Sequence, residues 1–352
     1  VINKVNPDTQ DYFVEEVKQA LFDDPALGAT REERQNRVFR GGLRIYTTLD
    51  PKMQNAAETA IAKVLDHPDK DPSATLVAMD PKDGHIRALV GGRDYFAPEE
   101  EDPCARVGAI NLDGSPKTCA KVNLALGREG GGTGRQPGSS FKPFVLAAAL
   151  EKGLPLTKTY SAPSCIDIPG ADAGGPWHVC NYEEASFGGS LSITDGTVKS
   201  VNTVYAQIIM DVGAKNVVDT AERMGIRKGS LEPVPSVALG SKAVSPLDMT
   251  AAYSVFPNLG NYVKPVAITK ITDARGNILW KPEPVKKSVL PEAVSYLTLE
   301  VLQQVIARGT ASRNGRIGRP AFGKTGTAQE WRDAWFVGGA GTDLVAAVSV
   351  FW

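Results

Sequence analysis

Apolar and polar residues recur along this chain with two spacings, one helical and one strand-like. Apolar residues three and four positions apart predict amphipathic helices, whereas alternation of apolar and polar residues predicts half-buried strands. Helices are predicted over residues 11–22, 52–64, 194–210, 245–253 and 291–307, and an apolar, alanine-rich helix follows residue 139. Strands are predicted over residues 42–48, 74–79, 85–91, 321–328, 334–339 and 345–351.

Two short polar segments are expected to turn the chain back on itself. Residues 80–84, with Pro81 and Gly84, separate the strands predicted at 74–79 and 85–91. Residues 273–277 divide the segment 266–279 in the same way. Turn-forming residues between two apolar runs indicate β-hairpins, so antiparallel strand pairs accompany the helices.

The segment from Gly134 to Leu150 holds the first candidate for chemistry. A Pro-Gly turn delivers Ser139 to the first turn of a helix, where free backbone N–H groups favour developing negative charge. Lys142 follows three residues later and shares a helix face with it. Pro143 fits only if the helix begins close to Ser139. A capping serine followed by a solvated lysine would have the same sequence, so this motif alone does not distinguish a catalytic site from an ordinary helix start.

Two further motifs lie downstream in a fixed order. Ser200 and Asn202 form a Ser-x-Asn motif, and Lys324 begins a Lys-Thr-Gly motif. With Ser-x-x-Lys these are the signature set of penicillin-binding proteins and serine β-lactamases. The flanking residues 135–143 and 333–338 also resemble the transpeptidase domain of class A penicillin-binding proteins. The resemblance extends from about Leu43 to the end of the chain.

This resemblance implies a fold and a division of the chain. The fold is α+β, of the penicillin-binding-protein and serine β-lactamase type, with a central antiparallel five-stranded sheet flanked by helices and a small N-terminal linker module. Residues 1–73 are expected to be a remnant of a glycosyltransferase junction with the interdomain linker, and residues 74–352 the transpeptidase domain. No glycosyltransferase motif occurs in the sequence, so that activity is not expected of it.

The three motifs together suggest roles for five catalytic residues. A serine hydroxyl needs an adjacent base, and Lys142 can serve for Ser139 if burial or a second cation lowers its pKa from about 10.4. Lys324 supplies that second positive charge. Ser200 can relay a proton to the leaving amine, and Asn202 can hydrogen-bond both Lys142 and a substrate amide.

The strand that carries Lys324 also holds the candidate substrate-binding residues. Alternate residues of a strand share a face, so Thr325 and Thr327 point one way and can bind a terminal carboxylate. Gly326 has no side chain, so another backbone, such as a substrate strand, can approach there. The resemblance implies an oxyanion hole formed by the backbone N–H groups of Ser139 and Thr327.

The implied reaction is D,D-transpeptidation of peptidoglycan stem peptides ending in D-Ala-D-Ala, with β-lactam antibiotics acylating the same serine. One alternative is hydrolysis, by a D,D-carboxypeptidase or a β-lactamase. Class A β-lactamases need a glutamate that positions water, but no Glu-x-x-x-Asn pattern lies near residues 231–235, and Val201 stands where they usually carry aspartate. A second alternative is a β-lactam sensor or cell-wall scaffold without turnover.

Four cysteines allow three pairings. Local pairing would join Cys104 to Cys119 and Cys165 to Cys180, each closing a loop of roughly 15 residues and adding about 3 kcal/mol in the chain-entropy model. The alternative is four buried free thiols. Disulfides would place the protein in an oxidising compartment, in agreement with the extracytoplasmic face of the bacterial membrane that the resemblance implies.

Net charge, histidine content and apolar runs exclude several classes of partner. A net charge of −1 without a basic patch argues against nucleic acid. The three histidines, His67, His85 and His178, are scattered, so neither a metal site nor a Ser-His-Asp triad is expected, and no cofactor is implied. No run of about 20 apolar residues occurs. We interpret the chain as part of a longer protein whose membrane anchor lies elsewhere and which has possible cell-wall synthesis partners.

Overall fold

Strands from both ends of the chain meet in one antiparallel sheet of five strands, in the order 321–327, 333–340, 344–351, 73–79 and 86–90. The computed structural model describes residues 12–67, 70–93, 95, 120–172, 175–328 and 332–352. The strands of this sheet are β2 (Ser73–Met79), β3 (Ile86–Val90), β12 (Ala321–Thr327), β13 (Asp333–Ala340) and β14 (Leu344–Phe351). The predicted five-stranded sheet is confirmed.

The helices at 12–23, 51–64, 142–151, 246–253 and 292–308 begin and end close to the predicted positions, whereas those at 31–40 and 214–224 were not predicted. In chain order the helices are α1 (Tyr12–Asp23), α2 (Arg31–Arg40), α3 (Pro51–Val64), α4 (Lys142–Glu151), α5 (Ile193–Val198), α6 (Asn202–Val212), α7 (Ala214–Met224), α8 (Pro246–Tyr253) and α9 (Glu292–Arg308). Asp50 caps α3 through two backbone N–H groups, and Pro51 occupies its first position. The α+β fold class is therefore as predicted.

The remaining strands form small sheets around this centre. They are β1 (Arg44–Thr47), β4 (Thr159–Ser161), β5 (Cys165–Asp172), β6 (Gly175–Cys180), β7 (Ser190–Ser192), β8 (Asn261–Val263), β9 (Ile268–Thr272), β10 (Ile278–Trp280) and β11 (Lys286–Ser288). β9 and β10 form the predicted hairpin, and β1 pairs with β9 to make a three-stranded sheet. β1 lies before the proposed boundary at residue 73 and β9 lies after it, so the two predicted units share this sheet. The boundary itself stays a prediction.

Helix α4 is the centre of the main core. Its side chains are apolar on every face, and Phe144, Val145, Leu146 and Ala147 are fully buried. It packs against α6, α7 and α9. A helix that is hydrophobic all round must be enclosed by other elements, so the residues at its start are held by the largest cluster of the protein.

The segment 194–210 differs from the single predicted helix. It forms two helices, α5 and α6, that are separated at residues 199–201. Ser200 has a φ of 60°, in the left-handed region that ends a helix. The apolar periodicity continues across this break, and for that reason the prediction was wrong at these residues.

Two of the four cysteines form a disulfide, Cys165 to Cys180, across the β5–β6 hairpin. The local pairing is confirmed for them, and the alternative of free thiols is wrong there. Cys104 and Cys119 lie outside the described residues. None of the helices within the described ranges is long and apolar enough to cross a membrane.

Helix α9 provides a test of this packing. Leu302 is fully buried in the main core, whereas Tyr296 on the same helix is 58% exposed. Leu302→Ala should lower the free energy of unfolding by about 2–5 kcal/mol, because it removes buried methyl groups and leaves a cavity. Tyr296→Ala should change it by less than about 0.5 kcal/mol. Thermal and urea unfolding of both variants measure the difference, and equal losses would contradict the packing described.

Candidate active site

Ser139 lies in a short 3-10 turn, Gly138–Phe141, that leads directly into α4. Its side chain is half-exposed, whereas its neighbours Ser140 and Lys142 are fully buried. Pro143 occupies the start of α4, where a missing N–H costs no helical hydrogen bond. The predicted placement of Ser139 at the start of the helix is therefore found.

Two glycines let this turn contact strand β12 backbone to backbone. A Cβ atom on Gly138, whose φ is 53°, would lie 2.3 Å from the carbonyl oxygen of Thr327, and one on Gly326 would lie 2.1 Å from that of Pro137. The close approach expected at Gly326 is thus made by the chain's own turn, and contact with a substrate there stays a prediction. This contact brings the Lys-Thr-Gly strand beside Ser139.

Thr327 presents its backbone toward the same turn. Ala328 N–H donates to Asp333 of β13, and N–H groups of successive residues point to opposite sides of a strand. The N–H of Thr327 consequently points away from β13, on the side where its carbonyl faces Gly138. The backbone of Thr327 therefore faces the turn that holds Ser139.

The Lys142 ammonium is buried behind Ser139. Its Nζ donates to the carbonyl of Ser200 at 2.7 Å, to Ser200 Oγ at 3.3 Å and to Asn202 Oδ1 at 2.8 Å. These contacts use all three N–H donors of a lysine. Burial, and then the positive charge of Lys324, lower the pKa of Lys142 well below its usual value.

Lys324 approaches the same hydroxyl from β12. It is fully buried, and its Nζ donates to Ser200 Oγ at 2.8 Å and to the carbonyl of Thr325 at 3.0 Å. Burial lowers the pKa of Lys324 to about 7. Because Ser200 Oγ accepts from both lysines, its own proton is left to donate elsewhere.

Ser139 Oγ itself has no hydrogen-bond partner among the described residues. Its proposed base points toward Ser200 and Asn202 instead. Hydrogen bonds between a nucleophile and its base are often long before substrate binds. The five predicted catalytic residues are thus gathered, with the nucleophile on the open side and the two lysines enclosed.

Ser200 reaches this position through a Schellman motif at the end of α5. Its N–H donates to Thr197, and the N–H of Val201 donates to Gly196, the pair of bonds that closes such a motif. Glycine usually occupies the left-handed position, but here it is Ser200. The left-handed turn aims both the carbonyl and the hydroxyl of Ser200 at Lys142.

The remaining predicted side chains lie where alternation along β12 puts them. Thr327 is exposed and Thr325 is half-buried, on the face opposite Lys324. The hydroxyl of Thr325 is 2.8 Å from that of Thr310. Asn202 also donates from Nδ2 to the carbonyl of Cys180 at 2.9 Å. Neither Thr310 nor Cys180 was predicted here, since no motif marks either residue.

Potential metal ligands within the described ranges lie apart from these residues. Cys165, His178 and Cys180 cluster around the disulfide, and Asp66, His67 and Asp71 form an exposed group. Neither group contains a residue that contacts Lys142 or Lys324 through its side chain. The side chains gathered around Lys142 carry hydroxyl, amine and amide groups.

Comparison with known proteins gives a consistent result. The family model described as the penicillin binding protein transpeptidase domain matches residues 74–350. Penicillin-binding protein 1A of Aquifex aeolicus is 34% identical over 268 residues, which is 76% of this chain and 33% of that protein. Penicillin-binding protein 1B of Haemophilus influenzae is 30% identical over 313 residues, or 86% of this chain and 36% of the relative. The chain spans about a third of the length of such relatives.

Solved structures show the same fold. PonA1 of Mycobacterium tuberculosis in complex with penicillin V is 27% identical with a TM-score of 0.73, covering 96% of this chain and 81% of that one. Penicillin-binding protein 1A of Haemophilus influenzae is 20% identical with a TM-score of 0.77, covering 97% of this chain and 66% of that one. At that identity the second likeness shows the fold alone.

The left-handed conformation of Ser200 can be tested with two variants that both lack the hydroxyl. Ser200→Gly should be more stable than Ser200→Ala by about 1 kcal/mol, since glycine adopts a positive φ without the Cβ clash. Unfolding in urea measures the difference. Equal stability of the two variants would contradict the Schellman geometry.

The buried lysines predict a dependence of stability on pH. Between pH 7 and the ordinary pKa of 10.5, Lys324 is more protonated in the unfolded chain than in the folded protein. Stability should therefore rise with pH in this range, by on the order of 3 kcal/mol between pH 7 and 9.5. Below about pH 7 the penalty of burying the charge is fully present.

Lys324→Met removes this titrating group while keeping a long side chain. Thermal unfolding at both pH values should show a smaller rise in melting temperature for the variant than for the wild type. An identical rise in both proteins would show that Lys324 has an ordinary pKa.

Proposed function

The chain belongs to the penicillin-binding-protein transpeptidase family, and from that premise we propose that it cross-links peptidoglycan stem peptides through an acyl-enzyme on Ser139. One observation carries the proposal: the Ser200 hydroxyl bridges two buried lysines, one of which follows a half-exposed serine by three residues at the start of a helix. This arrangement provides a nucleophile, a base with a lowered pKa and a proton relay.

Acylation begins with Lys142 in its neutral form. Its amine takes the proton of Ser139, and Ser139 Oγ attacks the carbonyl carbon of the penultimate D-alanine. The negative charge that develops on the carbonyl oxygen is stabilised by the backbone N–H groups of Ser139 and Thr327. Loss of one such donor typically costs about a hundredfold to a thousandfold in rate.

Collapse of this intermediate expels the terminal D-alanine. Its amine needs a proton, and Ser200 can supply one because both lone pairs of its oxygen already accept from lysines. Lys142 then returns the proton it took from Ser139 to Ser200. The amine of a second stem peptide attacks the acyl-enzyme and forms the cross-link.

Substrate binding falls to β12 and Asn202. Thr325 and Thr327 present hydroxyls for the terminal carboxylate on the face of β12 opposite Lys324. Gly326, between them, has no side chain and lets the strand lie close to the turn that holds Ser139. Asn202 has one Nδ2 hydrogen left after donating to Cys180, which can bind the backbone amide of the stem peptide. β-Lactams carry an amide and a carboxylate in a similar arrangement, so they should acylate Ser139.

Hydrolysis by the same residues is the second candidate, as a carboxypeptidase or a β-lactamase. Against a β-lactamase, Val201 is buried and apolar where such enzymes usually carry aspartate, so no carboxylate follows Ser200. A sensor without turnover would keep the same nucleophile but would not release D-alanine continuously. Continuous release of D-alanine from a stem pentapeptide therefore distinguishes a transpeptidase or a hydrolase from such a sensor.

Location and domain organisation are further parts of the proposal. The Cys165–Cys180 disulfide supports an oxidising compartment outside the cytoplasm. Residues 74–352 would form the transpeptidase domain, and residues 1–73 the link to a glycosyltransferase.

Two adjacent serines give a matched test of the nucleophile. Wild type and Ser140→Ala should gain the mass of one penicillin, whereas Ser139→Ala should gain none, because Ser140 Oγ is buried and donates to the Pro137 carbonyl. Intact-mass spectrometry after incubation with penicillin V measures the adduct. Covalent labelling of Ser139→Ala would contradict the assignment.

The lifetime of the wild-type adduct separates the remaining alternatives. An adduct that persists for hours indicates slow deacylation, as expected of a transpeptidase. An adduct that disappears while hydrolysed penicillin accumulates would indicate a β-lactamase instead.

A further inference from the structure

The β5–β6 hairpin contacts the start of helix α6, which carries Asn202. Cys165 and Cys180 face each other at the open end of this hairpin and are joined by the disulfide. The next residue, Asn181, donates its N–H to the carbonyl of Ser164 at 2.9 Å. The disulfide and this bond together fix the two chain segments that lie against α6.

Asn181 caps α6 from outside the helix. The N-cap residue of α6 is Val201, whose side chain cannot accept a hydrogen bond. Asn181 Oδ1 accepts from the N–H of Thr203 at 3.1 Å, and Nδ2 donates to the carbonyls of Pro163 and Ala185. A buried amide with its groups satisfied in this way sets where the helix begins.

The carbonyl of Cys180 holds the Asn202 amide in place beside Lys142. Nδ2 of Asn202 donates to that carbonyl at 2.9 Å, and Oδ1 accepts from Lys142 at 2.8 Å. Because an ammonium has donors only, both neighbours favour the same orientation of the amide. The hairpin thus acts on Lys142 through one side chain.

We propose that the Cys165–Cys180 disulfide and Asn181 form a clamp that positions Asn202, and that opening the disulfide slows acylation of Ser139. The inference rests on the proposed function. Both cysteines are half-buried, at the open end of the hairpin, so a dithiol can reach them.

The opening step is thiol–disulfide exchange with a dithiol. A thiolate of the reductant attacks Cys165 Sγ, the S–S bond breaks, and Cys180 leaves as a thiolate. The second thiol of the reductant then releases Cys165. The reductant loses two electrons and two protons and becomes a disulfide, and the protein gains two thiols. His178 Nε2 lies 3.2 Å from Cys180 Sγ, and Nδ1 lies 2.7 Å from Asp167 Oδ1, so this ring is within hydrogen-bond distance of the leaving sulfur.

The test compares oxidised wild type with Cys165→Ser/Cys180→Ser and with Asn181→Ala. Reactions with several concentrations of penicillin V are quenched at successive times, and intact-mass spectrometry measures the fraction of acylated protein. These data give the rate constant of acylation and the dissociation constant of the initial complex. We expect the rate constant to fall at least tenfold in both variants while the dissociation constant changes less than threefold.

The pH profile provides a readout that simple loosening would not move. Asn202 Oδ1 accepts from Lys142 and favours its charged form, so losing this bond should lower the pKa of Lys142. The acid limb of the acylation rate should therefore shift to lower pH in both variants. A slower rate with an unshifted acid limb would overturn the proposal.

Two control variants are matched to these changes. Asp167→Asn alters the same hairpin but leaves the disulfide and the Cys180 carbonyl in place, so its acylation rate should equal that of the wild type. Val17→Ala removes buried methyl groups from α1, in a separate cluster, and tests whether reduced stability alone slows acylation.

Reversible reduction keeps the test valid if the serine variant folds poorly. Dithiothreitol should slow acylation of folded wild type, reoxidation should restore it, and the same treatment should not slow the double serine variant further. Unchanged rates in reduced wild type and in both variants would overturn the clamp while leaving the proposed function intact. If oxidised wild type forms no adduct, the proposed function fails and the clamp with it.

Discussion

The site depends on two lysine ammonium groups buried side by side and bridged by one serine hydroxyl. Neither lysine forms an ion pair within the described residues. Burial of an uncompensated charge is costly. As a result the pKa values of both lysines are lowered, which favours the neutral amine. The rest of the structure can be understood as the means of enclosing these amines, because water would restore ordinary pKa values.

That enclosure uses rigid parts from distant regions of the chain. Lys142 extends from a helix that is surrounded by the main core, and Lys324 from a strand whose register with β13 is continuous over seven residue pairs. The glycines Gly138 and Gly326 allow the two elements to touch through their backbones. At this point the two elements therefore meet with no side chain between them.

The sequence predicted most elements of this fold, for identifiable reasons. Amphipathic periodicity located α1, α3 and α9, and turn residues located the hairpins. The motifs located the five side chains proposed to be catalytic, since each motif combines residue types of restricted use. The break at Ser200 was missed because apolar spacing continues through residues 194–210, and only a backbone angle distinguishes this serine from a helical one.

Contacts between motifs were harder to predict than the motifs themselves. The amide of Asn202 is held by a carbonyl of Cys180, and any residue type carries a carbonyl. Likewise, Asn181 caps α6 from a hairpin about 20 positions earlier in the chain, whereas capping patterns are recognised only within a few residues of a helix. Because any residue type can make a tertiary contact through its backbone, the sequence does not identify the residues at such a contact.

The hydrogen bonds of Lys142 also suggest how proton transfer is directed. A charged lysine has three N–H donors for its three acceptors, but a neutral amine has two and a lone pair. Loss of the proton must therefore release one contact, and the longest is the 3.3 Å bond to Ser200 Oγ. The shorter bonds to the Ser200 carbonyl and to Asn202 keep the amine in place. In the proposed mechanism the lone pair would then face the serine hydroxyls, so the contacts that hold the charged lysine would also orient its neutral form.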